Sequence, residues 1–367
     1  MNRLVGLDLR GFKSIRAVTS DDLKLGPINV LIGANGAGKS NLISFFRLMA
    51  AMARGELQLH VAQEGGASGH FFDGPSRTDG VEAVAAFDLA GSPFTYECLW
   101  RYAADDKLVF AKERLAGEAQ ASLSGAQGII FVPGNHETRL ISVPTTPWTT
   151  RALELLRQFV VYQFHNTSQT ARIRQRWSTS DGLQLKEDGG NLAPFLLRLR
   201  TQAQSAYARI VSTIQQVAPF FSDFVLQPEG DTILLRWRER GSDLLFAPHQ
   251  ASDGTLRAMA LISLLLQPED ELPPILIFDE PELGLHPYAI ELVAGLLRSA
   301  STRSQVIVAT QSMALVDHFQ PDEIIVANRV GRESKFKRLE EAELKDWLGE
   351  YALGELWEKN VLGGTPS

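Results

Sequence analysis

The chain has 367 residues, 44% of them hydrophobic, enough for one large domain with an insertion or for two lobes. A formal net charge of −7 argues against nucleic-acid binding through overall charge, although a local basic patch remains open. The single cysteine, Cys98, excludes a disulfide framework and suits a reducing cytosol.

Arg3, Asp8 and Arg10 interrupt the N-terminal segment, so no signal-peptide core is expected there. Pro27 to Ile32 is a short apolar, β-branched run that reads as a buried strand. It leads into Gly33-Ala34-Asn35-Gly36-Ala37-Gly38-Lys39-Ser40 and then into a helical pattern from Asn41 to Ala50. Strand, glycine loop and helix are the context that a phosphate-binding loop requires. The glycines let backbone N–H groups curl toward phosphate oxygens, helped by the positive end of the helix. Lys39 is then placed for the β- and γ-phosphates, and the Ser40 hydroxyl for Mg²⁺.

Glu64 to Gly80 is rich in glycine and reads as a mobile loop. Ala83–Leu89, Phe94–Tyr102 and Leu108–Leu115 alternate as antiparallel strands do, and Trp148 to Arg157 starts as a helix. Leu192, Phe195, Leu196, Leu199, Ala203, Ala206, Ile210, Ile214 and Val217 recur at helical spacing, predicting one long amphipathic helix. Heptads are not sustained, so no coiled-coil arm is expected. Arg172, Arg174, Arg176, Arg198, Arg200, Arg236, Arg238 and Arg240 concentrate in the middle third. The last three alternate around Trp237 and fall on one strand face. Such a strip can position phosphates, and a solvated strand face is the plainer alternative.

Ile233 to Trp237 returns to strand, and Gln250 to Thr255 then precedes an apolar helix from Leu256 to Leu266. Ser252 and Asp253 read as helix caps. A helix start carrying a hydroxyl and the Gly254 N–H is also a γ-phosphate receptor, and since the chain already has one phosphate loop, it would serve the nucleotide of a second subunit. The longest apolar stretch, Ala258 to Leu266, falls well short of a membrane span. Ile275 to Phe278 is a short apolar strand ending in Asp279-Glu280-Pro281. Neighbouring strand residues point in opposite directions, so the two acids divide the work. Asp279 is the metal-shell candidate, and Glu280 the candidate that polarises the attacking water. Glu282 to Pro287 forms a glycine bend and a proline helix start. Gln305 to Ala309 is a further strand, ending in Thr310-Gln311-Ser312, a place where open α/β sheets bind ligands. Glu340 to Trp357 reads as two short helices with Trp347, Tyr351 and Trp357 on an apolar face.

The order of the phosphate loop, Ser252-Asp253-Gly254, Asp279-Glu280, Glu282–Pro287 and Thr310-Gln311-Ser312 resembles the ATP-binding-cassette type of ATPase head. More closely it resembles the branch that holds SMC proteins, RecF and the OLD-family ATPases. Leu7 to Ile15, with Phe12-Lys13-Ser14, is similar to that branch's opening strand. The likeness runs over nearly the whole chain, including Leu353 to Trp357, and is strongest to stand-alone ATPases of this size. The fold it implies is α/β: a P-loop NTPase of the ABC/SMC-head type, with a mixed central sheet flanked by helices, an antiparallel β lobe and a helical insertion. The expected organisation is one head in two lobes, with 1–165 carrying the loop and β subdomain, 166–250 the insertion, and 251–367 the signature, metal strand and switch.

The resemblance implies ATP and Mg²⁺ as ligands. Asn35, Gly36, Ala37, Gly38, Lys39, Ser40 and Asn41 would bind phosphates, and Lys13 would lie near the nucleotide. Ser40 and Asp279 would hold the metal, and Glu280 would act as the base-like acid. Ser252 and Gly254 would act in trans within a homodimer that sandwiches two ATP molecules. Three departures stand out. The signature reads Ala251-Ser252-Asp253-Gly254-Thr255 rather than Leu-Ser-Gly-Gly. Gln311 occupies a switch position where many relatives carry histidine. The glutamine loop, a further metal contact, is placed at Gln163. OLD-family nucleases continue into a toprim domain, for which the residues after Ser312 are too few, so any nuclease is expected as a separate effector protein. The expected activity is an ATPase whose closure regulates that effector or a DNA-associated process, in the cytoplasm and without a membrane. A nucleotide-gated module with little turnover, and a transporter ATPase subunit, are the alternatives.

Overall fold

The computed structural model describes residues 2–117, 128–142, 147–347 and 350–364. The chain divides into two compact units: Met1–Val161, Pro273–Ile277 and Ser304–Ser367 form the first, and Tyr162–Leu272 with Phe278–Arg303 the second.

The first unit opens with β1 (Asn2–Phe12), β2 (Ile15–Val18), α1 (Ser20–Leu23), β3 (Ile28–Ile32), α2 (Lys39–Arg54) and α3 (Leu57–Gln63). It continues through β4 (Val81–Leu89), β5 (Ser92–Ala103), β6 (Lys107–Gly117), β7 (Ile129–Ile130), α4 (Pro147–Arg157) and β8 (Val160–Tyr162). Along β4 burial alternates strictly, as a two-residue period demands of a sheet with one face on a core. The six strands β2-β1-β4-β5-β6-β7 lie in that order and pair antiparallel. The expected loop from Glu64 to Gly80 is pinned instead of free. It holds a 3₁₀ turn, Ala67–His70, and buries Ala67, His70 and Phe71. Main-chain bonds from Lys13 N–H to His70 O (3.0 Å) and from Phe72 N–H to Gly11 O (2.8 Å) tie it to β1.

The second unit carries β9 (Trp177–Ser178), α5 (Leu192–Gln202), α6 (Gln204–Val217), β10 (Phe221–Phe224), β11 (Thr232–Ile233), β12 (Trp237–Glu239), β13 (Leu245–Phe246) and α7 (Asp253–Leu265). The single long helix expected from Leu192 to Val217 is two helices. Ala203 leaves helical geometry (φ −139°, ψ 58°), closing α5 and opening α6. The strand expected from Ile233 to Trp237 is likewise split, β11 pairing with β9 and β12 with β10. The arginine strip is largely consumed by ion pairs: Arg172–Asp188, Arg174–Asp253, Arg176–Glu229, Arg236–Glu229 and Arg198–Glu271. Arg200 donates to the Leu226 carbonyl.

The chain then forms β14 (Ile275–Asp279), passing from the first unit into the second at Phe278, and α8 (Pro287–Ala300). It returns to the first unit for β15 (Gln305–Ala309), α9 (Met313–Val316), β16 (Ile324–Val330), β17 (Glu333–Arg338), α10 (Glu341–Leu344) and α11 (Leu353–Glu358). A second six-stranded sheet has the order β17-β16-β3-β15-β14-β8. Around β3 the pairing is parallel to β15 and β16, and the β16–β17 edge is antiparallel, so this sheet is mixed. All five residues of β3 and of β15 are buried, as parallel strands covered on both faces require. The first unit's core joins both sheets through α2, whose Leu42, Ile43, Phe45, Phe46 and Met49 pack with Leu9 and Phe12 of β1 and with Leu31 and Ile307. At the C-terminal end Trp357 is buried while Trp347 is 44% exposed, so these aromatics share no single apolar face.

Candidate functional site: a phosphate loop and a carboxylate–amide cluster

β3 delivers the chain into the loop, and α2 begins at Lys39. Gly36 (φ 78°) and Gly38 (φ 111°) take left-handed backbone geometry that side chains disfavour. Beyond Gly36 the Cβ direction is empty, so the loop presents an open concavity there. Lys39 is only 5% exposed, and its ammonium donates to the carbonyls of Gly33 (2.5 Å) and Ala34 (3.2 Å). The cation is thus held at the loop by the loop's own backbone. Ser40 and Asn35 are exposed beside it.

Ser14, which the sequence marks only within Phe12-Lys13-Ser14, and Ser334, which it does not mark, anchor this loop. Asn41 Nδ2 donates to Ser14 Oγ at 2.6 Å, and the Ser14 and Ser334 hydroxyls lie 2.7 Å apart. Lys13 has a left-handed backbone (φ 48°), and its ammonium sits 3.3 Å from Glu64. Lys13, Ser14, Asn41, Glu64, Asp73, Arg329 and Arg332 line a polar cavity of about 540 Å³. Partial burial favours the neutral Glu64 carboxyl, yet the charge and hydrogen bond of the Lys13 ammonium together pull it below its usual range.

A second cavity of the first unit, about 450 Å³, is lined by Gly33, Ala34, Asn35, Gln311, Met313, Trp357 and Gly364. Gln311 is therefore brought beside the start of the loop. It follows β15, whose continuation donates from Thr310 N–H to Leu31 O at 3.0 Å, and Ser312 caps α9. The C-terminal segment also reaches the loop, since Gly364 O accepts from Ala34 N–H at 2.5 Å.

In the second unit, Gln163, Asp279 and Glu280 come together. Asp279 is 8% exposed, and Gln163 Nε2 donates to its Oδ2 at 3.3 Å. Gln163 Nε2 also lies 3.2 Å from His165 Nδ1, and His165 Nε2 lies 3.3 Å from Glu280 O. β14 ends at Asp279, and Glu280 adopts φ 47°. Strand alternation therefore does not separate the two acids, as had been expected; a left-handed turn at Glu280 does.

Ser252 caps α7, its Oγ accepting from Thr255 N–H at 3.1 Å. Gly254 lies against the turn at Gly284: a Cβ there would press into the Gly284 carbonyl, with its carbon at 3.3 Å. From the same helix Arg257 donates to the carbonyls of Phe164 (3.1 Å), His165 (2.9 Å) and Leu283 (2.8 Å), and to Thr167 Oγ1 (3.2 Å). One guanidinium thus ties α7 to the Gln163 segment and to the turn after Glu280. Neither Arg257 nor His165 belongs to a local motif, so sequence reasoning passed over both.

The donor set suits magnesium. Asp279 and Gln163 offer hard oxygen ligands, and no group of three or more His, Cys, Asp or Glu side chains among the described residues forms a metal cage. A magnesium ion characteristically takes one or two carboxylates and completes its shell with phosphate oxygens and water.

A family model described as "AAA domain, putative AbiEii toxin, Type IV TA system" matches residues 28–98 and 133–317. No curated protein sequence matches significantly. Among solved structures, the chain is similar to an Smc head bound to the C-terminal winged-helix domain of ScpA. The identity is 16% and the TM-score 0.62, with 94% of this chain and 99% of that one covered. It is also similar to the Smc head with an extended coiled coil, bound to the C-terminal domain of ScpA, from Pyrococcus furiosus (15% identity, TM-score 0.59, 95% and 99% covered). A third similar structure is the Smc head with coiled coil and joint from Pyrococcus yayanosii (14% identity, TM-score 0.54, 95% and 99% covered). At these identities the likeness establishes the fold: an α/β P-loop NTPase of the SMC-head type.

Proposed function

We propose that this chain, which belongs to the AAA-domain family whose model it matches, binds ATP with magnesium, hydrolyses it, and closes as a homodimer around two nucleotides to regulate a separate effector. The observation that carries the reading is the loop, where a buried lysine and two left-handed glycines stand at the start of a 16-residue helix.

In this reading Lys39 and the N-terminal N–H groups of α2 neutralise the β- and γ-phosphates. Asn35 and Asn41 flank them, and the polar cavity of Lys13, Ser14 and Asn41 receives the nucleoside. Ser40, Asp279 and Gln163 would hold magnesium, which when bound supplies charge neutralisation to the departing phosphate. Glu280 orients the attacking water, and Gln311 reads the state of the γ-phosphate. Ser252 is exposed at the start of α7, which supports a role for it and Gly254 toward the nucleotide of a second copy. Two of the similar Smc heads are bound to domains of ScpA; by analogy, the effector here is a distinct protein, nuclease-like in the expected case, with DNA as an associated ligand. None of the helices among the described residues is long and apolar enough to cross a membrane.

A nucleotide-gated module with slow turnover is the second reading, favoured by Gln311, an uncharged amide at the switch position. The test is ATPase turnover, nucleotide binding and mass in solution for the wild type, Lys39→Ala and Glu280→Gln. Lys39→Ala should lose ATP binding, and Glu280→Gln should retain ATP and become dimeric. Wild-type turnover no faster than that of Lys39→Ala would refute the enzyme. A Glu280→Gln protein that stays monomeric with ATP bound would refute the sandwich.

A further inference from the structure

We propose that His165 is a positioning residue of this site, its ring directing the Gln163 amide toward Asp279 while holding the main chain at Glu280. The proposal deepens the ATPase reading and rests on it. Gln163 Nε2 is a donor only, so His165 Nδ1, 3.2 Å away, must accept from it. The ring hydrogen then belongs on Nε2, which faces the Glu280 carbonyl, an acceptor only, at 3.3 Å. Gln163 uses its second amide hydrogen on Asp279 Oδ2 at 3.3 Å. Donors and acceptors therefore run in one consistent direction: Asp279 ← Gln163 → His165 → Glu280.

This direction has a chemical consequence. With both amide hydrogens committed to Asp279 and His165, the carbonyl oxygen is the end of Gln163 that can turn to a hard cation. Flipping the amide would set its oxygen against the Asp279 carboxylate. At the other end of the ring, the Glu280 carbonyl also accepts from Leu283 N–H at 3.2 Å, closing the turn that follows its left-handed backbone. His165 thus reaches both the metal-side amide and the residue that orients water. Its own main chain is held by Arg257 Nη2 on His165 O, and that of Gln163 by its N–H on Glu187 O at 2.8 Å.

Two substitutions separate the two ends of the ring. Asparagine can reproduce the Nδ1 acceptor but does not reach Glu280, and glutamine can reproduce the Nε2 donor but loses the acceptor for Gln163. Fluorescent-ATP binding without metal, the Mn²⁺ concentration that half-saturates the ATP complex by electron paramagnetic resonance, and turnover at saturating metal are measured for each. His165→Gln should raise the Mn²⁺ requirement by about tenfold or more, as loss of an outer-shell partner does. His165→Asn should keep that requirement within about twofold and lower turnover by about tenfold or more through Glu280. Metal-free ATP binding should be unchanged in both. Identical behaviour of the two variants, or an unaltered His165→Ala protein, overturns the proposal. In the nucleotide-free wild type, ¹⁵N shifts of the His165 ring should report hydrogen on Nε2; hydrogen on Nδ1 overturns the proposal whatever the variants do. Failure of the wild type to bind ATP refutes the ATPase reading separately, and the ring measurement still decides the bridge.

Discussion

Replacing Gly254 by alanine sets two effects of opposite sign against each other. Gly254 lies in the first turn of α7, and its backbone is not left-handed. Helix propensity alone favours alanine there by about 0.5–1 kcal/mol. The added Cβ would press into the Gly284 carbonyl, a backbone group that cannot rotate away as a flexible side chain would. Overpacking of this kind costs about 1–3 kcal/mol, so the net expectation is a loss of about 1–2 kcal/mol. Gly295, inside α8, is the control, because nothing lies within 4 Å of its Cβ direction. Gly295→Ala should gain about 0.5–1 kcal/mol. Urea unfolding, followed by tryptophan fluorescence, separates the two outcomes. With a slope of about 2 kcal/mol per molar, Gly254→Ala should lower the midpoint by about 0.5–1 M, while Gly295→Ala raises it slightly. A Gly254→Ala protein as stable as wild type would refute the close approach of helix and turn.

Glu113 is 2% exposed and accepts from Tyr96 Oη (2.7 Å), Thr138 Oγ1 and Arg139 N–H (3.0 Å). Glu113→Ala leaves those buried donors unpaired and should cost about 2–4 kcal/mol in chemical unfolding, with Glu113→Gln costing less. Arg257→Lys replaces a four-acceptor fork by one ammonium and should lose about 1–3 kcal/mol by the same measurement. Burial, reinforced by the Lys13 ammonium, pushes the His70 imidazole down to about 4. Between that value and its ordinary range near 6.5, the unfolded chain binds a proton that the folded chain refuses, so stability falls as pH drops through this window. The loss should reach about 2 kcal/mol by pH 5, and His70→Asn, which keeps a donor for Gly66 O, should remove it.

Much of the fold was legible because its signals are local. β4 alternates and is half-buried; β3 and β15 are continuous apolar runs and are covered on both faces. The break at Ala203 was not legible, since apolar spacing continues across it without glycine or proline to mark it. The pinned segment from Glu64 to Gly80 misled for a related reason. Its glycines allow freedom, but Ala67, His70 and Phe71 are consumed by the core. The arginine strip looked like a face because sequence shows the cations and not the carboxylates that meet them.

The candidate site divides along the same line. The glycine loop, the cap at Ser252 and the acids at the end of β14 are specified by contiguous residues, whose chemistry depends on backbone geometry within a few positions. Those could be read directly. The Ser14–Ser334 anchor joins residues at opposite ends of the chain, and so does the reach of Gly364 to Ala34. The Gln163–His165 link to Asp279 and Glu280 spans more than a hundred positions, as does no local motif. Such contacts arise only when distant segments are packed side by side, because hydrogen bonds act over about 3 Å and are indifferent to separation along the chain. The sequence by itself determined which groups could hold a nucleotide; the tertiary structure decided which neighbours orient them.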